Sequence, residues 1–182
     1  MDEAAALLVL GLGNVLLGDD GLGAAAVHRL SRDFVAPPAA RVLDGGTLGL
    51  ALLPHLEDAR AAILVDAVRG DAPPGTLVRL AGDAVAPAVL ERLSPHQVGV
   101  ADLLQGARWR GRCPPALVLI GLVPAAIDLG LGRSPAVDAA LGRLVAQIVA
   151  EARAFGHHFR PRRDDERALD GSARDVARIL GL

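Results

Sequence analysis

Residues 7–23 read LLVLGLGNVLLGDDGLG, and the reading of this stretch decides the fold. Leu7 to Leu10 form a short apolar run closed by Gly11, long enough for a buried strand and too short for a helix. Gly11 and Gly13 allow a tight backbone turn, and Gly18-Asp19-Asp20-Gly21 punctuates the chain before a helical pattern at Leu22, Ala26, Leu30 and Phe34. Strand, glycine loop, two carboxylates and helix succeed one another. In open α/β sheets, sites are built from loops at the carboxyl ends of parallel strands.

Downstream, the chain repeats this alternation. Ala40–Leu43 predicts a second strand ending in Asp44-Gly45-Gly46-Thr47, followed by a helix over Leu48–Leu56 that stops near Pro54 or soon after. Ala61–Val65 is an uninterrupted apolar run closing on Asp66. Such a run, apolar on both faces, belongs at the centre of a covered sheet. Thr76–Leu80 predicts an edge strand, a position open to antiparallel pairing. Helices are expected over Ala84–Leu93 and Val98–Ala107, separated by Ser94-Pro95-His96-Gln97, and Ala116–Leu122 is a further strand. The clearest helix runs from Pro135 to Phe155, with Ser134 as cap, Pro135 in the first turn and Gly156 at the end. The expected architecture is α/β: a three-layer sandwich whose mostly parallel, twisted central sheet has about five strands flanked by helices. Residues 1–156 would form one domain. The charged segment 157–182 would be a mobile tail with a short helix near Val176–Leu180.

Composition narrows the function classes. The 182 residues suit one domain with a sizeable core. The acidic opening MDEAAALLVL is unlike a signal peptide, and no apolar run approaches the roughly 18 residues of a membrane helix. Cys113 is alone, which fits a reducing compartment, so the expectation is a cytoplasmic protein without a membrane or disulfides. A formal net charge of −2 with both signs scattered, and no Tyr with one Trp, gives no nucleic-acid footprint. All basic residues are Arg. The absence of Lys excludes a P-loop lysine and Schiff-base chemistry.

A dinucleotide-binding reading of Gly11-x-Gly13 fails on Leu16 in place of the third glycine, and on the distance to Asp44. Asp20 has an ordinary reading as a helix N-cap, and Asp44 as an Asx-turn residue. Asp66 is harder to assign to structure, since a carboxylate directly after a central apolar strand is costly unless solvated, paired or metal-bound. If the first and third strands are parallel neighbours, Asp20 and Asp66 emerge at one sheet edge, and the His96 loop can close over it. Two carboxylates and an imidazole make an incomplete shell suited to Zn²⁺, Ni²⁺ or Mn²⁺. The residues alone leave open whether this is a metal site or three separate structural positions.

These segments resemble one known family. GLGNVLLGDDGLG at 11–23, LDGGTLGLALL at 43–53, ILVDAV at 63–68, PPGTL at 73–77, SPHQVGVADLL at 94–104 and IGLVPAAIDLGLGRSPAV at 120–137 are similar, in order, to motifs of the hydrogenase maturation proteases. That family consists of endopeptidases that finish the large subunit of nickel–iron hydrogenases. The resemblance implies nickel contacts at Asp20, Asp66 and His96, with the nickel supplied in the substrate and held weakly or not at all by the free protein. Many members carry Glu at the first position; the Asp here keeps the charge on a shorter arm. The implied partner is the precursor large subunit, whose C-terminal extension is removed in one cut, and the expected state of the enzyme is monomeric. No Ser-His-acid triad or HExxH motif is present. Catalysis would therefore fall to the metal, or to Asp20 or Asp66 as general base. Asp44, with Gly45-Gly46, is expected to orient substrate or support the ligands. A non-cleaving nickel-checkpoint module, a peptidyl-tRNA hydrolase-like enzyme and a nucleotide-binding protein are the alternatives.

Overall fold

A computed structural model describes residues 6–90, 97–163 and 166. Its centre is a five-stranded sheet built from β1 (Leu7–Leu12), β3 (Ala40–Gly46), β4 (Ala61–Ala67), β5 (Leu77–Ala81) and β6 (Ala116–Leu122). The spatial order is β3-β1-β4-β6-β5. The first four of these positions are parallel, and β5 runs antiparallel to β6 at the edge. This is the expected mostly parallel sheet, with β1 and β4 as direct neighbours and Gly11 opposite Val65.

Alternation along the buried strands divides the core in two, as a period of two residues requires. Leu7 and Val9 of β1 and Ile63 and Val65 of β4 face α1 (Leu22–Asp33) and α5 (Pro135–Ala154). Leu8, Leu10, Leu12 and Leu64 face the other way. There they meet α2 (Leu53–Glu57), α3 (Val85–Leu90) and α4 (Gln97–Trp109). The two faces differ in construction. One carries two long helices, and α5 is capped as expected, with the Ser134 hydroxyl accepting the Val137 N–H and Gly156 at φ +84° beyond its end. The other carries one helix of similar length, α4, and two short ones, α2 and α3.

Three local expectations change. The helix expected over Leu48–Leu56 is a 3-10 turn at Gly49–Leu52 that runs into α2. Pro54 lies in the first turn of α2, where its missing N–H has no partner to lose, so it starts the α-helical part instead of ending it. Phe34, placed by its spacing on the stripe of α1, instead opens β2 (Phe34–Val35). Finally, packing continues beyond Gly156. Phe159 is buried against the α1–α5 layer, and β7 (Arg160–Pro161) pairs antiparallel with β2. The Arg162 N–H donates to Asp33 O at 2.8 Å, and Arg162 Nε to Ser31 O at 3.0 Å. The helix expected near Val176–Leu180 and the end of the helix expected over Ala84–Leu93 lie outside the described residues.

Candidate functional site

The carboxyl edge of the sheet is shaped first by β1 and the loop that leaves it. Gly13 turns at φ +121°, and a Cβ there would fall on the Asp20 carbonyl oxygen, so no other residue fits without moving the chain. Its N–H donates to Gly46 O at 3.1 Å, tying the loop to the end of β3. The chain then winds through a 3-10 helix, Gly18–Gly21, that packs against β4 and holds both Asp19 and Asp20 out of solvent.

The two acids have separate partners. The Asp19 carboxylate accepts from Ala125 N at 2.8 Å, Ser134 N at 2.6 Å and Ser134 Oγ at 2.8 Å. It therefore pins the 3-10 helix to the connection between β6 and α5, at the positive end of α5. Asp20 is fully buried, and its Oδ2 accepts the Asn14 N–H at 2.8 Å. It does not act as an N-cap: no side-chain cap bond is made at the start of the 3-10 helix, and α1 is capped by Gly21.

Asp66 sits one residue beyond the β1–β4 pairing, 2% exposed, with Oδ1 accepting the Ala67 N–H at 2.7 Å. The same Oδ1 lies 3.8 Å from the position a Gly13 Cβ would take, so the Asp66 carboxylate and the Asp20 backbone carbonyl both border Gly13. Asp20 and Asp66 thus share one sheet edge, brought there by adjacent parallel strands. Both are hydrogen-bond acceptors, the donor type that hard and borderline cations use.

Asp44 stands apart. It is exposed, its Oδ1 accepting the Gly46 N–H at 3.1 Å in an Asx turn and its Oδ2 3.2 Å from His28 Nε2. Gly46 has a positive φ, +47°, and a Cβ on Gly45 would crowd Leu10 and Leu52. His96 lies outside the described residues. The element after it, α4, is brought to this edge: Gly99 and Gly49 approach so closely that a Cβ on Gly99 would be 2.9 Å from Gly49 Cα. Among the described residues no group of three or more His, Cys, Asp or Glu assembles into a metal site.

Exposed apolar side chains stand on the two loops that meet at the 3-10 helix. Val15 and Leu16 protrude from the β1 loop, and Leu129 and Leu131, more than 80% exposed, from the β6–α5 connection. The two loops are bound together by Gly18 N to Gly130 O, 3.0 Å, and Gly130 N to Leu16 O, 2.9 Å. Sequence reasoning missed both this clasp and the anchoring role of Asp19. The only signal in the sequence was the pairing of Asp19 with Asp20 in one turn.

Comparison with known proteins agrees with this geometry. The family model described as hydrogenase maturation protease matches residues 24–151. The chain is 43% identical over 153 residues to the hydrogenase expression/formation protein HupD of Rhodobacter capsulatus, covering 82% of this chain and 72% of that protein. It is 34% identical over 157 residues to the hydrogenase 2 maturation protease of Escherichia coli, covering 86% and 96%. The solved structure of the hydrogenase maturating endopeptidase HybD from E. coli matches with a TM-score of 0.82 at 35% identity, over 86% of this chain and 97% of that one. The tRNA-hydrolase-like and nucleotide-binding alternatives, and the non-cleaving module, are thereby set aside. With a doubly covered, mostly parallel sheet and buried Asp19, Asp20 and Asp66 at its carboxyl edge, the chain belongs to the hydrogenase maturation protease family.

Proposed function

We propose that this endopeptidase removes the C-terminal extension of the precursor large subunit of a nickel–iron hydrogenase, and that it recognises the nickel already seated in that substrate. The observation that carries the reading is the burial of two carboxylates at one sheet edge: Asp20 in the loop that follows β1, and Asp66 at the end of the neighbouring β4, with its Oδ1 beside Gly13. With His96 they would supply two oxygens and one nitrogen to the substrate's metal, a set that leaves coordination positions for the groups the substrate already provides. Such a partial shell binds free metal weakly, so the nickel arrives as part of the substrate. Asp20 and Asp66 are also the groups placed to take a proton from an attacking water. Asp44, at the rim of the same edge, would orient the substrate backbone over Gly45-Gly46.

The exposed Val15, Leu16, Leu129 and Leu131 fit a macromolecular substrate, since contiguous apolar surface marks protein contact sites. No helix among the described residues is long and apolar enough to cross a membrane. In this reading the protein acts as a cytoplasmic monomer. The test is incubation with nickel-loaded and nickel-free precursor, read by mass spectrometry. A single shortened product from the loaded form alone is the expected result; equal cutting of both forms would remove nickel recognition, and a stable uncut complex would remove cleavage.

A further inference from the structure

A cavity of about 390 Å³ opens between α1 and α5, lined by Ala25, His28, Arg29, Arg32, Arg133 and Leu141. Three guanidinium groups and an imidazole meet there, and no carboxylate is among the lining residues. Their partners lie to the side. Asp33 is shared by Arg32, with Nε–Oδ1 at 2.9 Å, and Arg29, with Nε–Oδ2 at 3.4 Å. Arg133 Nε donates to Asp138 Oδ1 at 2.8 Å. Three arginines thus share two carboxylates. In these bonds Arg29 and Arg133 each use Nε, one of the five donors a guanidinium carries. Arg29 also reaches across to α5, where a Cβ on Gly142 would be 3.4 Å from its Nη2. The absence of a side chain there lets α5 accept it.

The cavity borders the candidate site along two routes. Arg133 directly precedes Ser134, whose N–H and hydroxyl hold Asp19 beside Asp20. His28 contacts Asp44 at the end of β3. A chain lying across the sheet edge therefore meets concentrated positive charge on leaving it. Guanidinium groups bind carboxylates and phosphates through paired N–H donors, which makes a cluster of them selective for oxyanions.

We propose that this cavity is an anion subsite that takes a carboxylate of the polypeptide being processed. The inference rests on the reading that the chain cuts a polypeptide at Asp20 and Asp66. The test uses the full-length protein and its Arg29→Gln/Arg133→Gln double variant, with equal thermal midpoints as the folding control. Processing of the nickel-loaded precursor should show KM raised roughly tenfold in the variant, the scale of losing charge-assisted hydrogen bonds, with the loss falling on KM and not on kcat. Inorganic phosphate should compete with precursor for wild type and not for the variant. Precursors with an amidated C-terminus, or with acidic side chains of the extension neutralised, identify which carboxylate is bound. If neither change nor the double variant alters KM, the proposal is overturned. If wild type leaves the precursor uncut, the functional reading fails, and titration with inorganic phosphate followed by NMR decides independently whether the cavity binds anions.

Discussion

Asp19 and Asp20 are chain neighbours with the same side chain and nearly the same burial, yet they are built into different parts of the molecule. Asp19 reaches outward to a segment more than 100 residues away and holds it by three hydrogen bonds. Asp20 turns inward, where its backbone carbonyl borders Gly13, and the bond from Asn14 closes its own loop. A 3-10 helix makes this possible, because its tight winding sends successive side chains in directions about a third of a turn apart. Asp19 fixes the loop that carries Asp20. Burial alone therefore does not distinguish the two acids; the origin of their partners does.

The largest expected effects come from removing the charge on the inward side. Asp20→Asn and Asp66→Asn should each reduce processing by about 10²–10⁴-fold, the range of a lost general base, while the thermal midpoint stays close to wild type. His96→Ala should likewise abolish processing without unfolding the protein. Circular dichroism melts beside product analysis check all three. Full processing by Asp20→Asn would erase the distinction between the two acids, and full processing by His96→Ala would end its assignment as a nickel contact.

The outward acid should show the opposite pattern. Asp19→Ala leaves the Ser134 and Ala125 N–H groups without their acceptor and detaches the 3-10 helix from α5. The expected loss is about 3 kcal/mol of stability, since each buried group left unsatisfied costs about 1–3 kcal/mol. For a chain of this size that corresponds to a fall in midpoint of about 6–12 °C. Activity at low temperature should survive in part. A stable but inactive Asp19→Ala protein would mean that Asp19 also acts on substrate.

The contrast also explains which features were legible in the sequence. The placement of Asp20 and Asp66 at one sheet edge was legible because each comes after a short apolar strand, and strands ending on glycine or acid announce a sheet edge. That the edge is shared depended on one further step, the parallel pairing of β1 with β4, for which the two-sided apolarity of Ala61–Val65 argued. Asp19 could not be assigned, because its partners are 106 and 115 positions away and nothing local marks them. The same is true of Phe159 and the β2–β7 ribbon. A two-residue strand in a charged segment has no periodicity to read, and its pairing depends on where α1 ends. Of the cavity arginines, Arg29 and Arg32 share one face of α1, but Arg133 is about 100 positions on and joins them only when α1 lies against α5.

Asp44 offers a finer cut between the structural and the substrate-facing roles. Its turn bond and its contact with His28 are both solvent-exposed, so Asp44→Ala should change stability by less than about 1 kcal/mol. If it orients substrate, processing should slow severalfold despite the intact fold. An unchanged rate would leave it a turn residue, comparable in kind to Asp19 but weaker.

The smallest effect should come from a carboxylate that is paired and yet partly solvated. Asp33 closes α1, and the Arg32 guanidinium bonded to it holds its carboxyl below the usual carboxylate range, with Arg29 adding to the same direction. A depressed value in the folded state means that the unfolded chain takes up the proton first as pH falls. The pair thus contributes fully above the unfolded value of 3.8 and loses its contribution as pH drops through the lower, folded one. Its side chain is 23% exposed and Arg32 more so, so solvent screening limits the gain to less than about 1 kcal/mol. Asp33→Asn should therefore be slightly destabilised at pH 7, and the difference from wild type should shrink and vanish as pH falls below 3.8, as measured by urea unfolding across that range. A difference that persisted in acid would show that Asp33 acts through uncharged hydrogen bonds, as a small version of the Asp19 anchor. A difference that grew to several kcal/mol at neutral pH would show that the end of α1, where Arg162 of the ribbon bonds to the Asp33 carbonyl, is as firmly tied as the turn beside the candidate site.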